Sequence, residues 1–441
     1  MKNQVYIENT INPFKKIITV SSDKSISIRC VLLSAIALGR SKIFNLLDSE
    51  DVLNSIKAIK NLGVKCVKKQ NYLEVHGVGI NGFKFNNNLT INAGNSGTLA
   101  RCILGLCSAT SKKIKLIGDQ SLSKRDFKRI IEPLNLFGVN IKSKNGMLPL
   151  TLEGTKILRP IKYIEKKGSA QIKTSIILSA INTPGITEIK SKKSRDHTEL
   201  MLKSLSYPIK IKKINNYDLI KIKGLSQFRS FEYKVPGDIS SASFFIVLTL
   251  LSKNSELKIK NININPSRTG IINILRKMNA NIKIINKKNY KGENIGDLKI
   301  TSTKNFKSIR CSSKLNSSAI DEFLLIFLVA AKANGVSKFY DLNELNKKES
   351  PRLNIAINFL KMLGVKVLRD KDNIKIFGNP NLKLKKKYHM KKFLKDHRVF
   401  MLSVVAGLTL GGKWVIEDSD AINTSFPKFL YQIRKLGAKI S

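Results

Sequence analysis

The stretch LKMLGVKVL at residues 360–368 reads as the end of a helix, a turn and the start of a strand. An apolar helical segment runs into Gly364, where a helix C-terminus favours left-handed backbone, and VKVL then alternates as a half-buried strand does. The phrase returns as IKNLGVKCV (59–67), LNLFGVNIK (134–142), LKSLSYPIKI (202–211), LRKMNANIKI (275–284) and IRKLGAKI (433–440). Its six pivots are Gly63, Gly138, Tyr207, Asn279, Gly364 and Gly437. They recur about every 70 to 85 residues, a period that suits an α/β unit rather than a solenoid repeat. Asn tolerates left-handed backbone nearly as Gly does; Tyr207 does not, which sets the third copy apart.

A chain of 441 residues exceeds what one hydrophobic core usually serves, so the six units are expected to form two domains of three. The tripeptide PGD at 236–238 separates the strand-like FEYKV from the helix-like SSASFFIVLTLL, and a crossover between domains is expected there. The apolar runs 244–251 and 323–331 fall short of the roughly 18 to 20 residues of a membrane span, so none is expected. The first twenty residues lack a continuous apolar stretch ahead of a small-residue cleavage site, so no signal peptide is expected and a cytoplasmic location is. Five cysteines without a CxxC pair fit reduced thiols, and four histidines without HExxH give no zinc pattern; no metal is expected.

The net charge of +48 invites a nucleic-acid reading. Lys is spread along the whole chain with abundant Asn and Ile, however, and the one dense cluster, LKLKKKYHMKKFLK at 382–395, has no arrayed aromatic-basic motif beside it. The charge is read as solvated surface, with no specific nucleic-acid partner.

Polar residues gather at helix starts. In 21–40, Ser22 and Asp23 suit an N-cap, and Ser25 and Arg29, four apart, share a face beside the positive end of the helix. NAGNSGTLAR (92–101) is a glycine-bearing loop opening a helix, where backbone amides can approach an anion. Lys124 and Arg125 in GDQSLSKRDFKR (118–129) precede another helix. Ser169 is expected to cap the helix opened by GSAQIKT (168–174), with Gln171 in its first turn, and SRDHTE (194–199) is a short polar loop. Asp321 and Glu322 precede FLLIFLVAA, where an acid is either a cap or a general base. In KKESPR (347–352), Ser350 is expected at the cap and Pro351 at the first helical position, with Lys348, Glu349 and Arg352 around that turn. Asp396, His397 and Arg398 open a last helix, and Arg suits bidentate grip of carboxylate or phosphate. Each start alone is as well read as a solvated helix end; several aimed at one place would suit doubly anionic substrates.

With the motifs GNSGT, GDQSLSKR, SAQIKT, SRDHTE, VPGD, AIDEF, KKESPR, DHR and SFP in this order along nearly the whole chain, the sequence resembles the EPSP synthase family. SAQ and SRDHTE resemble its class II bacterial branch, and SDKSIS its opening substrate loop. The resemblance implies an α/β (α+β) fold, a two-domain inside-out α/β barrel of six βαβαββ repeats. It implies that residues 1–22 plus 237–441 form one discontinuous domain of three repeats and 23–236 an inserted domain of three, the domains closing on substrate.

It further implies transfer of the enolpyruvyl group of phosphoenolpyruvate to the 5-hydroxyl of shikimate 3-phosphate, by a monomer without metal or organic cofactor. Carried over by position, Lys24 touches both substrates. Ser25, Arg29, Ser169, Ala170, Gln171, Arg195, Asp321 and Lys348 bind shikimate 3-phosphate. Gly97, Arg125, Gln171, Arg352 and Arg398 bind phosphoenolpyruvate. Asp321 is the implied base and Glu349 the implied acid, with Lys24 the third catalytic group.

Two places depart from the family pattern. RVKESDR reads NKKESPR, so that Asn346 replaces Arg, Lys347 an apolar residue and Pro351 an Asp; and Thr424 stands where other branches carry a substrate-binding Lys. Gly97, an Ala in some class II members that exclude glyphosate, implies room for that inhibitor. The rival enzyme of this fold class, UDP-N-acetylglucosamine enolpyruvyl transferase, carries a Cys or Asp in the loop that here reads GDQSLSKR without Cys. A nucleic-acid binder would instead show affinity that falls steeply with salt.

Overall fold

The structure, a computed structural model, describes residues 3–391, Phe393 and residues 395–441. Met1 and Lys2, at the start of the first expected domain, and Lys392 and Leu394 of the basic cluster lie outside the described residues. By packing, the chain divides into two compact units. One comprises 22–236 with Tyr290–Glu293; the other comprises the residues up to Ser21, 237–289 and 294–441.

The six pivots show why the repeated phrase is a helix end. Gly63, Gly138, Asn279, Gly364 and Gly437 all have positive φ, between 70° and 101°. Each donates its N–H to the carbonyl three residues back, and the next residue donates to the carbonyl five back, as in Gly364 to Lys361 at 2.9 Å and Val365 to Leu360 at 2.9 Å. This pair of bonds satisfies carbonyls that the helix end would otherwise leave open. The third copy corrects the expected pivot. Ser206, at φ 55°, takes the left-handed position and donates to Lys203, while Tyr207 donates to Leu202. Tyr207 is therefore one place past the pivot. Its ring is buried edge-on to Phe228 at 5.8 Å, a position that suits a large side chain and leaves the turn to a small one.

In the unit of 22–236, the helices Lys24–Ala35, Gly97–Leu106 and Ala170–Ile181 are buried over most of their surface. Their apolar residues run all round, as a central helix requires. Gly105 allows two of them to touch, since a Cβ there would lie 2.0 Å from the Ser175 carbonyl oxygen. The helices Glu50–Asn61, Lys128–Leu136 and His197–Ser204 bury one face each. Three sheets of 4 strands complete the unit. In each, a parallel pair such as Leu89–Asn92 with Lys113–Ile117 is extended by two antiparallel strands, here Leu150–Glu153 and Asn140–Ser143.

The other unit follows the same plan. Ile239–Leu251, Phe323–Ala331 and His397–Leu410 are almost wholly buried, and Phe244, Phe245, Phe426 and Phe429 form an aromatic cluster of edge-on and tilted rings in its core. Among its described residues, two sheets have 4 strands and one has 3. In the latter, Leu384–Met390 is an edge strand parallel to Gly411–Glu417. Leu384 and Tyr388 face inward, Tyr388 stacking on Trp414 at 4.7 Å, while Lys385, Lys386 and Lys387 are exposed. Lysines on an edge strand oppose pairing with another chain, which gives the densest part of the basic cluster a role in the fold.

The five cysteines are free, and burial pushes the Cys102 thiol up to about 11 and the Cys107 thiol up to about 12. Among the described residues, no helix is long and apolar enough to cross a membrane.

The corrected third pivot is testable. Ser206 pays the left-handed penalty that Gly avoids, so Ser206→Gly should raise the unfolding free energy by about 1 kcal/mol in urea titration. At Gly364 a Cβ would meet nothing within 4 Å, so Gly364→Ala should lose about 1 kcal/mol through backbone strain alone.

Candidate active site

In the unit of 22–236, side chains tie the first turns of the three buried helices together. The Asp23 carboxylate accepts from the Ile26 N–H at 2.9 Å and caps Lys24–Ala35. Lys24, in the first turn, places Nζ 2.8 Å from Asp51 Oδ2. Arg29 is buried; its Nε donates to Thr198 Oγ1 at 2.8 Å, its Nη2 to Thr174 Oγ1 at 3.0 Å and its Nη1 to the Ser25 carbonyl at 2.9 Å. Ser25 thus meets Arg29 through its backbone, and its hydroxyl is not the group that pairs them.

Ser96 caps the next helix by accepting from Leu99 N at 3.3 Å, with Gly97 as the first helical residue. A Cβ on Gly97 would lie 2.8 Å from Nη1 of Arg101 and 2.8 Å from Nη1 of Arg125. Two guanidinium groups therefore crowd this helix start, and glycine keeps room for them. Arg101 Nη1 donates to Gln171 Oε1 at 2.7 Å, Gln171 Nε2 donates to Thr98 Oγ1 at 3.1 Å, and Arg125 Nη2 donates to Asn95 Oδ1 at 3.3 Å. The Arg101 guanidinium also lies over the Phe127 ring at 4.9 Å.

Ser169 caps the third helix through Ile172 N at 3.5 Å, with Ala170 and Gln171 as its first residues. Arg195 is half-buried in the loop before His197–Ser204. Lys173 Nζ sits 2.6 Å from Glu199 Oε1, both without appreciable solvent, and joins these two helices; burial raises the Glu199 carboxyl even so. His197 Nδ1 lies 2.6 Å from Glu293 Oε1, the two fully buried.

In the other unit, the carboxylate of Asp321 is ringed by cations. Lys348 Nζ and Arg352 Nη1 are each 3.3 Å from Oδ1, and Arg398 Nη2 is 3.9 Å from Oδ2. Arg398 Nη1 also donates to the Asp321 carbonyl at 2.9 Å. Glu349 pairs with Arg352 Nη2. Arg352, 1% exposed, is held from behind by Asp396, with Nε 2.9 Å from Oδ2. Burial works against the Arg352 charge, but Asp396, Glu349 and Asp321 outweigh it and raise its pKa above the ordinary value. Burial pushes Asp396 upward, and Arg352 more than offsets this, holding the carboxyl below its usual range.

Asp396 also caps His397–Leu410, accepting from Arg398 N at 3.0 Å. Glu322 is buried, accepts from the Ser240 hydroxyl and lies 3.6 Å from Arg398 Nη1. Glu322 occupies the N-cap position of Phe323–Ala331, but its side chain makes no capping hydrogen bond to a helix N–H. Arg268 Nη2 donates to Asp238 Oδ1 at 3.0 Å and to Ser240 Oγ at 2.8 Å. Thr424 Oγ1 is 3.3 Å from His397 Nδ1.

The structure brings Gly97, Arg125 and Gln171 together around Arg101 in one unit, and Asp321, Lys348, Glu349, Arg352 and Arg398 together in the other. Lys24 is joined to Asp51, and Arg195 lies in the loop before His197–Ser204. The expected cap at Ser350 is corrected: Pro351 is the N-cap of Arg352–Met362, and the Ser350 hydroxyl donates to Asp396 Oδ2 at 2.7 Å. The hydroxyl donates to a buried, charged carboxylate, and the N–H groups of Leu353 and Asn354 that a cap would receive donate to Asn346 Oδ1 instead. Sequence reasoning missed Arg101, Asp51, Thr174, Thr198, Lys173 and Glu199, and read Asp396 only as part of a helix opening. Arg101 stood inside a quoted motif, and its place four residues after Gly97 was the available signal. Arg268 had none. Among the described residues, no group of three His, Cys, Asp or Glu side chains could hold a metal ion.

The fold is that of enolpyruvyl transferases. The enolpyruvyl transferase NikO from Streptomyces tendae, at 14% identity, shares it with a TM-score of 0.76 over 100% of this chain and 99% of that one. An EPSP synthase from Acinetobacter baumannii is nearer, at 32% identity and TM-score 0.86 over 99% of both chains. The 3-phosphoshikimate 1-carboxyvinyltransferases of Ruthia magnifica subsp. Calyptogena magnifica and Petrotoga mobilis are 37% and 38% identical; the matches cover 99% and 95% of this chain and 98% and 96% of theirs. The family described as EPSP synthase (3-phosphoshikimate 1-carboxyvinyltransferase) matches residues 9–433. The chain belongs to the EPSP synthase family.

The lowered Asp396 carboxyl links stability to pH. Its contribution is present above the pKa of an unfolded aspartate, about 4, and is lost as pH falls through its lower folded value. Asp396→Asn should therefore destabilise the protein by about 3–5 kcal/mol near neutral pH, because Arg352 loses a buried partner. In urea unfolding measured from pH 7 downward, the gap from the wild type should narrow below about pH 4.

Proposed function

We propose that Asp321 and Glu349 carry the proton transfers of enolpyruvyl transfer, with Lys24 as the third catalytic group. The chain is an enzyme of aromatic amino-acid biosynthesis. It transfers the enolpyruvyl group of phosphoenolpyruvate to the 5-hydroxyl of shikimate 3-phosphate, giving 5-enolpyruvylshikimate 3-phosphate and phosphate. The observation that carries the residue assignment is the pair of carboxylates sharing one cationic frame, Asp321 with Lys348, Arg352 and Arg398, and Glu349 with Arg352.

In the addition step, Asp321 takes the proton of the 5-hydroxyl as its oxygen bonds to C2 of phosphoenolpyruvate, and Glu349 delivers a proton to the C3 methylene. The product is a tetrahedral adduct bearing a methyl group. In the elimination, Glu349 takes a proton back from that methyl, the C2–O bond to phosphate breaks, and Asp321 returns its proton to the leaving oxygen. Both groups end as they began. The cations around Asp321 lower the cost of moving negative charge through both steps.

Lys24, Ser25, Arg29, Ser169, Ala170, Gln171, Arg195, Asp321 and Lys348 are assigned to shikimate 3-phosphate. Arg29 supports this, since its three contacts are to neutral oxygens and leave its charge for an anion. Lys24, Gly97, Arg125, Gln171, Arg352 and Arg398 are assigned to phosphoenolpyruvate, and the guanidinium groups crowding Gly97 support that choice. The six matched helix ends and the sheet orders support six βαβαββ repeats in two domains forming an inside-out α/β barrel. A cytoplasmic monomer completes the reading.

The test is phosphate release. Purified protein should liberate phosphate only when given phosphoenolpyruvate and shikimate 3-phosphate together, and Asp321→Ala and Glu349→Ala should each lower kcat by at least about 10²-fold. Variants as active as the wild type would sink the assignment. Gly97→Ala should displace Arg101 and Arg125 and raise KM for phosphoenolpyruvate by about tenfold, with KM for shikimate 3-phosphate changed less than about twofold.

A further inference from the structure

The helix Arg352–Met362 begins directly after Lys348 and Glu349, and its own cap position offers no side-chain acceptor. Pro351 is the N-cap and has no side-chain oxygen, while the Ser350 hydroxyl is committed to Asp396. An N-cap side chain normally accepts from the second or third helical N–H. Here those groups belong to Leu353 and Asn354, and both donate to Asn346 Oδ1, at 3.1 and 3.3 Å. Asn346 stands five residues ahead of the cap, in the 3₁₀ turn Asn343–Lys347. The other end of its amide is used too: Nδ2 donates to Asn354 Oδ1 at 3.4 Å, and that oxygen also accepts from Arg369 Nη1 at 2.7 Å.

The consequence concerns the segment between Asn346 and the helix. Lys348 and Glu349 lie in no helix or strand. By bonding to the first turn of the helix, Asn346 closes the five intervening residues into a short loop with both ends on one rigid element. A closed loop has fewer conformers than an open one, so the two side chains are confined. Their reach to Asp321 and Arg352 then depends on this closure, in a reaction where a displacement of about 1 Å is costly.

We propose that Asn346 is a positioning residue for enolpyruvyl transfer: it serves as the N-cap that Pro351 cannot supply and so holds the loop bearing Lys348 and Glu349 against Asp321 and Arg352. The proposal rests on the assignment of Glu349 and Asp321 to proton transfer. It also makes Asn346 and Pro351 a coupled pair, because an acceptor placed at 351 would reach the same two amides.

Kinetics of Asn346→Ala, Asn346→Asp and Asn346→Ala/Pro351→Asp, run well below each variant's unfolding midpoint, test this. Asn346→Ala should lower kcat by about tenfold. Asn346→Asp, which keeps the acceptor, should stay within about threefold of the wild type, and the double variant should recover to a similar level. A purely stabilising cap would lower the unfolding temperature of Asn346→Ala and leave kcat per folded molecule unchanged. That outcome overturns the proposal, as does a double variant that regains the unfolding temperature but not kcat. Loss of kcat in Glu349→Ala with none in Asn346→Ala overturns the positioning role alone; loss in neither overturns the assignment of Glu349 as well.

Discussion

Arg352 carries a charge that almost no solvent reaches, and the polar chemistry of its unit is organised around that fact. Removing a guanidinium from water costs several kcal/mol even after relaxation, so it persists only where carboxylates and hydrogen bonds surround it. Asp396 meets it from one side, and Asp321 and Glu349 from another. Because Asp396 also caps His397–Leu410 and accepts from Ser350, one charge joins the starts of two helices and the segment ahead of a third. The proposed base and acid are placed by the same group, so their geometry is inherited from a buried ion cluster rather than from flexible surface side chains.

The unit of 22–236 solves a related problem differently. Arg29 is also buried, but the oxygens around it belong to Thr174, Thr198 and the Ser25 backbone. Neutral oxygens orient a guanidinium without cancelling its charge, which suits the anion-binding role proposed for Arg29. At Gly97, two guanidinium groups share a helix start where a single methyl group would intrude on both. Cations thus stand in two settings in this protein: some are neutralised by the carboxylates they hold, and others, such as Arg29, are bonded to neutral oxygens, as the proposed substrate contacts require.

Much of the fold was legible in the sequence because its signals are local. A helix end needs a left-handed residue and two bonds spanning six residues, so LGV-type phrases announced themselves six times over. The failure at Tyr207 is instructive: the pattern was right, but which of two adjacent residues turned was decided by the burial of an aromatic ring. The site was legible as motifs and as helix starts, yet partners were not. Ser350 looked like a cap by every local rule and became a ligand of Asp396, while Asn346, read only as a departure from the family pattern, took over the amides.

The sequence by itself determined five of the six repeated helix ends, the family, and which residue types stand at the helix starts, because each depends on spacing within a few residues or on ordered motifs. Only the tertiary structure decided which charges are paired. Arg352 and Asp396 are 44 residues apart, and Arg29 and Thr198 are 169 apart. Contacts of that range arise when hydrophobic burial brings helices together, and the strength of a charge pair depends on the solvent excluded around it, which no local pattern encodes.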